Sequence, residues 1–276
     1  ISFYAPTIKH YETEEFQQSC GHCYFMPVSI TGARCELNCD HCGRKILKAM
    51  RATTTPQDLF EYAKEIADRG AKGMLISGGS DKNGVVPIRP FIKTIARIKQ
   101  EFGFKIVAHL GIINEETVRE IADSGGIDGA MMDIVGSDDT LRQVYHLRDV
   151  TCVEFENSLR LLCEHGIKTI PHVVIGLHYG RIIGEYHALE IISRYPVASV
   201  VLVGLLPQAG TKMAEATPPA PEEMGEVFKQ ARCLFPATGV LLGCIRPMGE
   251  HKFQTDMLAL KSGLNGIAYP SEGIVG

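Results

Sequence analysis

The sequence lacks the features that would place the protein in a membrane, in a secretory route or on a nucleic acid. No apolar run approaches the roughly 18–20 residues that a bilayer-crossing helix needs. The amino terminus does not show the charged, apolar and small-residue succession of a secretory signal. The net charge is only −4, so no basic surface for nucleic acid or for an anionic membrane is indicated. We therefore expect a cytoplasmic protein without nucleic-acid or membrane partners.

The sequence also has no low-complexity tract or long linker after residue 27. Its nine cysteines are an odd number in an otherwise ordinary globular composition, which is typical of a reducing compartment. With 276 residues and 45% hydrophobic content, the chain can bury a large core. It begins at Ile1 and not at methionine, which is consistent with a trimmed amino terminus. We predict an N-terminal extension over residues 1–26 and one catalytic domain over 27–276.

Short apolar runs alternate with amphipathic stretches, a pattern that indicates parallel strands joined by crossover helices. Helix starts between the runs carry caps, with Thr55 ahead of Pro56 and Thr151 paired with Glu154. The predicted strands are 27–32, 73–77, 104–111, 129–136, 169–177, 199–207, 239–245 and, from a weaker pattern, 266–270. Eight strands would close a barrel, so the expected fold is α/β, a full or nearly closed (βα)8 TIM-type barrel.

Three cysteines, Cys35, Cys39 and Cys42 in CELNCDHC, follow the first predicted strand in a short loop. Soft thiolates at this spacing bind iron–sulfur clusters or zinc in preference to hard cations. A cubane cluster normally takes four protein ligands, so three would leave one iron free to bind a small molecule. The alternative is zinc held by these sulfurs and His41. Because His41 adjoins Cys42 and the second half of a zinc-finger pattern is absent, the spacing favours a cluster.

Polar residues and glycines follow the predicted strands at the edge where a barrel enzyme has its active site. Gly78 and Gly79 come after GMLIS, where their bare backbone would let a ligand approach closely or would simply form a tight turn. His109 ends the third predicted strand and Asp133 lies in the fourth, where they could bind ribose hydroxyls, orient a substrate or move a proton. Alternatively, His109 is a satisfied core residue and Asp133 caps the next turn or helix.

The cysteine spacing, with three residues and then two between the ligands and a ring side chain before the last, resembles the radical S-adenosylmethionine (radical SAM) superfamily. The resemblance implies a [4Fe-4S] cluster whose open iron chelates the amine and carboxylate of SAM, and one-electron cleavage of the sulfonium to a 5'-deoxyadenosyl radical. It also implies that His41 packs near the adenine. The glycine-rich motif that contacts the SAM amino group in that family matches Ser77, Gly78 and Gly79.

Further motifs occur in the order of this family. PHVVIGLHYG resembles the apolar-glycine motif beside the adenine, and the acidic residue that often follows that motif matches Glu185. LLPQAGT resembles the proline-and-glycine turn that closes the adenine pocket. The matched positions of these two motifs are Val174, Ile175, Gly176, Pro207, Gly210 and Thr211. His109 and Asp133 remain our catalytic candidates, with Asp133 also a candidate for binding SAM.

The segments VSITGARCELNCDHC, DIVG, VYHL, LLPQAGT and GCIRPMG together resemble the biotin-synthase-like branch, including the two-component lipoyl synthases. In the better-known biotin and lipoyl synthases a second iron–sulfur cluster is dismantled to supply sulfur. The resemblance implies sulfur insertion at unactivated C–H positions of an octanoyl chain on a carrier protein or peptide. A partner radical SAM subunit and a reductant such as ferredoxin are expected with it. The three N-terminal auxiliary cysteines and the C-terminal serine motif of familiar lipoyl synthases are absent from this sequence.

Two further cysteines, Cys20 and Cys23, lie two residues apart just ahead of the first predicted strand, a common half of a metal site. Cys244 lies on the late predicted strand, and alternation along a strand would put Arg246 on the same face. We predict an auxiliary iron–sulfur cluster held by these three cysteines, with the fourth ligand among Cys233, His22 and Arg246. The alternative is an extension without metal and a buried, inert Cys244.

Two other classes of protein stay open on the sequence alone. One is a radical SAM enzyme without sulfur insertion, such as a methylase or a C–C bond-forming enzyme. The other is a non-enzymatic iron–sulfur or zinc protein.

Overall fold

The computed structural model describes residues 1–5, 11, 13–14 and 25–275. Within them, ten strands form one sheet in which every pair of neighbours is parallel. In chain order the strands are β1 (Ser2–Tyr4), β2 (Phe25–Ser29), β3 (Arg51–Ala52), β4 (Gly73–Ser77), β5 (Lys105–His109), β6 (Gly129–Asp133), β7 (Thr169–Ile175), β8 (Ser199–Gly204), β9 (Gly239–Leu242) and β10 (Gly266–Ala268). Their order across the sheet is β1-β10-β9-β8-β7-β6-β5-β4-β2-β3.

Helices follow most of the strands and give the chain its βα repeat. They are α1 (Lys45–Lys48), α2 (Pro56–Asp68), α3 (Ile92–Phe102), α4 (Glu115–Ser124), α5 (Asp138–Gln143), α6 (Cys152–Glu164), α7 (Glu185–Ser193), α8 (Pro221–Leu234) and α9 (Glu250–Lys261). The predicted caps are present, because Thr55 and Thr151 each form a capping box with the acidic residue three positions later. In the part of the chain that the structure describes, every helix is too short or too polar to span a bilayer.

The eight strands that run from β10 to β2 in the strand order, which leaves out β1 and β3, surround one cavity of about 650 Å³. Each contributes at least one side chain to its wall: Pro27, Leu75, Val107, Met131, His172, Val201, Leu241 and Ala268. Side chains alternate along a strand, so a shared interior for all eight means that the sheet bends into a barrel. The intervening positions, Met74, Ile106, Met132, Val173 and Val240 among them, are fully buried and form the core on the helix side. The predicted α/β fold is confirmed.

All eight predicted strands are present, and the structure adds β1 and β3 at the two ends of the strand order. Within the described residues, no hydrogen-bonded pairing joins β1 to β3. β1 pairs with β10, so the start of the predicted N-terminal extension adds a strand to the same sheet. The boundary at residue 26 stays a prediction, because most of residues 6–24 lie outside the described part of the chain.

Candidate active site

The three cysteines after β2 face the barrel cavity, and Cys39 is buried while Cys35 and Cys42 are half-buried. Their loop is closed by local hydrogen bonds: Gly43 N–H donates to the Cys39 carbonyl over 2.9 Å, and Lys45 N–H donates to the Cys42 carbonyl over 2.9 Å. These turns bring three residues that are close in sequence to one wall of the cavity. The predicted convergence of the three thiols on one cavity is therefore present.

The thiols of Cys39 and Cys42 are close enough to share a hydrogen bond. This bond lowers the pKa of Cys42, with a further contribution from His41, and raises the pKa of Cys39. A thiolate is the form of cysteine that ligates a soft metal. Among the described residues, no three His, Cys, Asp or Glu side chains are already spaced as the ligands of a single metal ion. Three thiol side chains on one cavity wall are the soft donor set that an iron–sulfur cluster takes.

The two glycines after β4 lie directly against the cysteine loop. A Cβ on Gly79 would come within 2.0 Å of the Arg34 carbonyl oxygen and 2.5 Å of the Cys35 Cβ. The Gly79 N–H donates to Thr31 Oγ1 over 2.7 Å. Bare backbone is therefore needed for the cysteine loop to pack here, and the cavity wall also includes Ser77, Gly78 and Gly79. Their predicted contact with SAM stays a prediction.

His41 lies on the cavity wall together with Cys39 and Cys42, between which it stands in the sequence. Its ring centre is 5.3 Å from that of Tyr145. Its Nδ1 is buried and has no hydrogen-bond partner in the structure. A buried polar atom without a partner is costly, and it is commonly satisfied by a ligand or a water. The donor set and this nitrogen both fit a bound cluster and nucleotide.

His109 and Asp133 lie on neighbouring strands, β5 and β6, and form a polar patch on the cavity wall. His109 Nε2 is 3.6 Å from Asp133 Oδ1, and the Tyr145 hydroxyl donates to Asp133 Oδ2 over 3.2 Å. Burial by itself would raise the pKa of Asp133, but the neighbouring His109 holds it well below its usual range. The carboxylate is therefore ionised and available as an acceptor. Whether either residue is catalytic stays a prediction.

His172 on β7 completes this patch and was missed by the sequence analysis. It pairs in register with Asp133, and its ring centre is 5.7 Å from that of His109. Burial and the neighbouring His109 lower the pKa of His172 to about 4, so it is neutral near pH 7. The signal was available, because strand alternation puts His172 on the same face as Val174. We name His109, Asp133 and His172 the polar wall.

Of the three matched positions of the predicted apolar-glycine motif, Val174 lines the cavity and Ile175 and Gly176 do not. Ile175 is fully buried on the other face of the strand. Gly176 has a φ of +81°, and a Cβ there would come within 2.4 Å of Pro219, so this position needs glycine. The buried carboxylate of Glu185 accepts the Gly176 N–H over 2.7 Å and holds the turn. It also accepts the N–H groups of Ile183 and Gly184 over 2.9 Å. The SAM contacts assigned to these residues stay predictions.

The predicted proline-and-glycine turn after β8 docks against the cysteine loop. Lys45 Nζ donates to the Ala209 carbonyl beside Gly210. A Cβ on Gly43 would touch the Thr211 methyl at 3.4 Å. Pro207 and Gly210 do not line the cavity themselves. The turn thus lies beside the cysteine loop, and its contact with adenine stays a prediction.

The predicted auxiliary ligands can be placed only in part. Cys20, Cys23 and His22 lie outside the described residues. Cys244 is half-buried and lines the cavity that the other three cysteines line. Cys233 is exposed on α8, outside the cavity wall. The auxiliary cluster therefore stays a prediction.

The expectation that Cys244 and Arg246 share a face of one strand is wrong. The strand β9 ends at Leu242, and Arg246 turns away from the cavity into the protein, where it is 1% exposed. Its guanidinium donates twice to Asp256, over 2.6 and 3.0 Å. It also donates to the carbonyl oxygens of Gly243, Ala268 and Tyr269. These bonds use all five guanidinium N–H groups, so ligation of a cluster by Arg246 would require breaking this network.

Asp40, between Cys39 and His41, was not predicted from the sequence. Its carboxylate is buried and takes part in three side-chain contacts. Burial opposes ionisation, but hydrogen bonds from Tyr179, Lys212 and His146 lower the pKa of Asp40. A lone acidic residue in a ligand loop carries no signal of such partners, since they come from distant parts of the chain.

Comparison with known proteins agrees with this site. A family model described as the Radical SAM superfamily matches residues 29–189, more than half of the chain. A biotin synthase from Geotalea daltonii is 27% identical over 223 residues, which cover 76% of this chain and 64% of that protein. A biotin synthase from Neorickettsia sennetsu is 22% identical over 256 residues, covering 88% and 75%. The 7,8-didemethyl-8-hydroxy-5-deazariboflavin synthase of Archaeoglobus fulgidus is 24% identical over 237 residues, covering 77% and 68%.

Solved structures show the same fold at lower identity. Methylornithine synthase superposes with a TM-score of 0.61 at 17% identity, over 90% of this chain and 72% of that one. The FeFe-hydrogenase maturase HydG from Carboxydothermus hydrogenoformans gives a TM-score of 0.64 at 16% identity, over 90% and 61%. The matched residues 29–189 contain the cysteine loop and run from the end of β2 into α7. The chain therefore belongs to the radical SAM superfamily, a family that implies a [4Fe-4S] cluster and SAM, and it is a radical SAM enzyme related to biotin synthases.

Proposed function

We propose that the protein inserts sulfur at unactivated C–H positions of an aliphatic substrate, as a lipoyl synthase component acting on a carrier-bound octanoyl chain. The observation that carries this proposal is an aliphatic surface in the cavity, which we name the apolar wall. It is formed by Val201, Val203, Leu241 and Ala268 of β8 to β10 and by Ile46, Leu47 and Met50 in and after α1. Such a surface binds a hydrocarbon chain by removing it from water, at about 0.8 kcal/mol per buried CH₂ group.

The polar wall and the apolar wall meet where β7 pairs with β8, since His172 lies in register with Val201, and β9 and β10 carry the apolar wall further round the barrel. His109 and His172 offer imidazole nitrogens there, and the ionised Asp133 offers a strong hydrogen-bond acceptor. These groups would orient the polar parts of SAM, while the apolar wall would hold the chain to be modified. The arrangement brings the two molecules together and excludes water from the reacting atoms.

Cys35, Cys39 and Cys42 would hold the [4Fe-4S] cluster at the mouth of the cavity. When bound, this group supplies the electron that cleaves the sulfonium of SAM. The chain's own contribution is to fix the three thiolates, through the turns of the cysteine loop and its packing on Gly79.

Cys244 supports the sulfur-insertion part of the proposal, because its thiol lines the cavity that holds the other three cysteines. A second cluster ligated by Cys244 together with Cys20 and Cys23 would place a sulfur source beside the apolar wall. The expected partners are the octanoylated carrier protein or peptide, a partner radical SAM subunit and a reductant such as ferredoxin. The resemblance of the sequence to the two-component lipoyl synthases supports these partners.

The test begins with anaerobic reconstitution and quantification of iron and sulfide per chain. The parent protein is compared with Cys244→Ala and with the double variant Cys20→Ala/Cys23→Ala. Each protein is then incubated with dithionite, SAM and an octanoyl-lysine peptide, and the products are analysed by mass spectrometry. We expect the variants to form 5'-deoxyadenosine but no thiolated peptide. Thiolated peptide at the parent rate from the double variant would contradict the proposed sulfur source.

A second candidate function is a radical SAM reaction without sulfur insertion, such as methylation or C–C bond formation. The polar wall favours it, because adjacent imidazole and carboxylate groups can move protons during such a reaction. The two candidates differ in metal content. One cluster per chain in the parent protein, with 5'-deoxyadenosine formed, would favour the second candidate.

A further inference from the structure

Asp40 lies between a ligand cysteine and His41, but its side chain points away from the cavity. Cys39 and His41 both line the cavity, and Asp40 does not. Its residue surface is only 4% exposed. An ionised carboxylate is costly to bury unless it is paired and hydrogen-bonded. The hydrogen bonds and ion pairs of the Asp40 carboxylate therefore indicate the role of this side chain.

Three side chains from three different segments donate to the Asp40 carboxylate. His146 Nε2 donates to Oδ1 over 2.7 Å, and Lys212 Nζ is 3.0 Å from the same oxygen. The Tyr179 hydroxyl donates to Oδ2 over 2.6 Å. The backbone is held as well, since Asp40 N–H donates to the Val144 carbonyl over 2.9 Å. The carboxylate thus ties the cysteine loop to the segments that follow α5, β7 and β8.

These segments lie on the far side of the barrel from the strand that carries the cysteines. In the strand order, β6, β7 and β8 are the third, fourth and fifth neighbours from β2. The cysteine loop after β2 therefore reaches across the mouth of the barrel, and Asp40 fastens it there. We name Asp40, His146, Tyr179 and Lys212 the loop clamp.

Left-handed backbone is concentrated in the loop clamp and in the cysteine loop that it holds. Among the described residues, five other than glycine have a positive φ: Asn38, Arg44, His146, Tyr179 and Tyr269. Two of them, His146 and Tyr179, donate to Asp40, and Asn38 and Arg44 lie in the cysteine loop itself. Left-handed backbone at such residues costs about 1–3 kcal/mol each and persists only where the surroundings hold it. For His146 and Tyr179, the hydrogen bonds to Asp40 stabilise the left-handed conformation.

We infer that Asp40 is a positioning residue, which clamps the cysteine loop across the barrel mouth and so fixes the three thiolates relative to the SAM site. This role concerns the cluster that the superfamily implies, and it holds whether or not the enzyme inserts sulfur. Loss of the carboxylate frees the loop from three anchors at once. The cluster can then still form from local ligands, but it presents its open iron to SAM in a shifted and less uniform geometry.

The test compares Asp40→Ala and the conservative Asp40→Asn with a matched control, Asp128→Asn. Asp128 also pairs with lysines, Lys99 and Lys105, and accepts the Ile106 N–H over 2.8 Å, but it lies outside the cavity, ahead of β6. Each protein is reconstituted anaerobically, and iron and sulfide are counted. The EPR spectrum of the dithionite-reduced cluster is then recorded before and after SAM is added. The dissociation constant of SAM is measured by equilibrium dialysis under anoxic conditions.

We expect Asp40→Ala to bind SAM roughly tenfold to a hundredfold more weakly, as for the loss of a hydrogen-bonded buried charge. Its EPR signal should be broadened, with a reduced change on addition of SAM. Asp40→Asn should lie between this variant and the parent, because one amide oxygen still accepts a hydrogen bond. Asp128→Asn should match the parent in both measurements. If Asp40→Ala is less stable but has the parent's EPR response and SAM affinity, Asp40 is only structural and the inference is overturned.

Two milder variants keep the inference testable if Asp40→Ala fails to fold. Tyr179→Phe and Lys212→Met each remove one donor and leave the carboxylate in place. Both variants should fold. Each should weaken SAM binding, but by a smaller factor than Asp40→Asn does. Parent-like SAM affinity and EPR response in both variants would overturn the inference.

Discussion

His172 donates a hydrogen bond from Nδ1 to the carbonyl oxygen of Ile170 over 2.9 Å, two residues earlier in the same strand. A carbonyl can only accept, so this contact places the proton of the neutral imidazole on Nδ1. Nε2 is then left as an acceptor in the wall of a barrel cavity. The neighbouring His109 and the burial of the ring both disfavour a second proton.

This arrangement predicts a specific dependence of stability on pH. The native pKa of His172 is lowered from 6.5 to about 4. Between these values the unfolded chain takes up a proton that the native protein refuses, so the free energy of unfolding falls as the pH falls. For one such group the loss is at most about 3 kcal/mol, and less where water in the cavity screens the charge.

We therefore expect His172→Gln to lose less stability than the parent between pH 6.5 and pH 4. Urea unfolding of the cluster-free protein, followed by circular dichroism across this range, measures the difference. His165→Gln is the matched control, because His165 Nδ1 also bonds a carbonyl, that of Leu161, but outside the cavity. The control should follow the parent. Parallel curves for the parent and His172→Gln would show that His172 takes up its proton normally in the native state.

Replacement of any one of Cys35, Cys39 and Cys42 by alanine should abolish cluster binding, because two thiolates do not retain a cubane at the cavity mouth. Iron and sulfide per chain should fall by the content of one [4Fe-4S] cluster, and SAM should not be cleaved under dithionite. Cys163→Ala is the control, because this cysteine lies on α6, outside the cavity wall. Its iron content should equal that of the parent. Full iron content in all three single variants would mean that the cluster is bound elsewhere.

Gly79→Ala should displace the cysteine loop, because the added Cβ would overlap the Arg34 carbonyl and Cys35. We expect a loss of about 1–3 kcal/mol in the free energy of unfolding, the usual cost of overpacking, together with lower iron incorporation. Gly239→Ala is the matched control, because a Cβ there meets only the Ser199 Cβ at 3.8 Å. Urea titration and iron analysis of both variants provide the measurement. Equal iron content in the two would show that the loop tolerates the shift.

Arg246→Met should destabilise the protein by about 3–5 kcal/mol, because it leaves the Asp256 carboxylate buried without its cation. Asp256 is fully buried, and its remaining partners are Lys252 at 3.9 Å and the N–H and hydroxyl of Ser271. The exposed ion pair of Arg89 with Glu116 serves as a comparison. Arg89→Ala should leave the urea midpoint unchanged, since solvent screens such pairs. A small effect of Arg246→Met would show that water or another cation reaches Asp256.

Local patterns were enough to predict much of the fold. The short apolar runs between amphipathic stretches predicted all eight strands around the cavity, and the caps at Thr55 and Thr151 are both present. The short strands β1 and β3 were missed, because segments of two or three residues show no periodicity. The run 239–245 was predicted too long, since its apolar pattern continues past Leu242 into the turn.

In the site, too, local patterns could be predicted from the sequence and contacts between distant segments could not. The meeting of Cys35, Cys39 and Cys42 on one cavity could be predicted because residues at most seven positions apart leave a pattern that can be read along the chain. Asp40 and Tyr179 are 139 residues apart, and no local pattern indicates that they meet. Arg246 was placed on the wrong face because alternation was extended beyond the end of the strand. Contacts that depend on how loops cross the barrel are a property of the tertiary structure.

The left-handed residues around the loop clamp set a limit on how this enzyme can be made more heat-resistant. Glycine or asparagine at His146 or Tyr179 would relax the main chain, because these two residue types adopt left-handed backbone at little cost. The same change would remove an anchor of the ligand loop. At these two positions a gain in thermal stability would therefore come with a loss in the positioning of the cysteine loop. Stabilising substitutions are better sought on the outer helices.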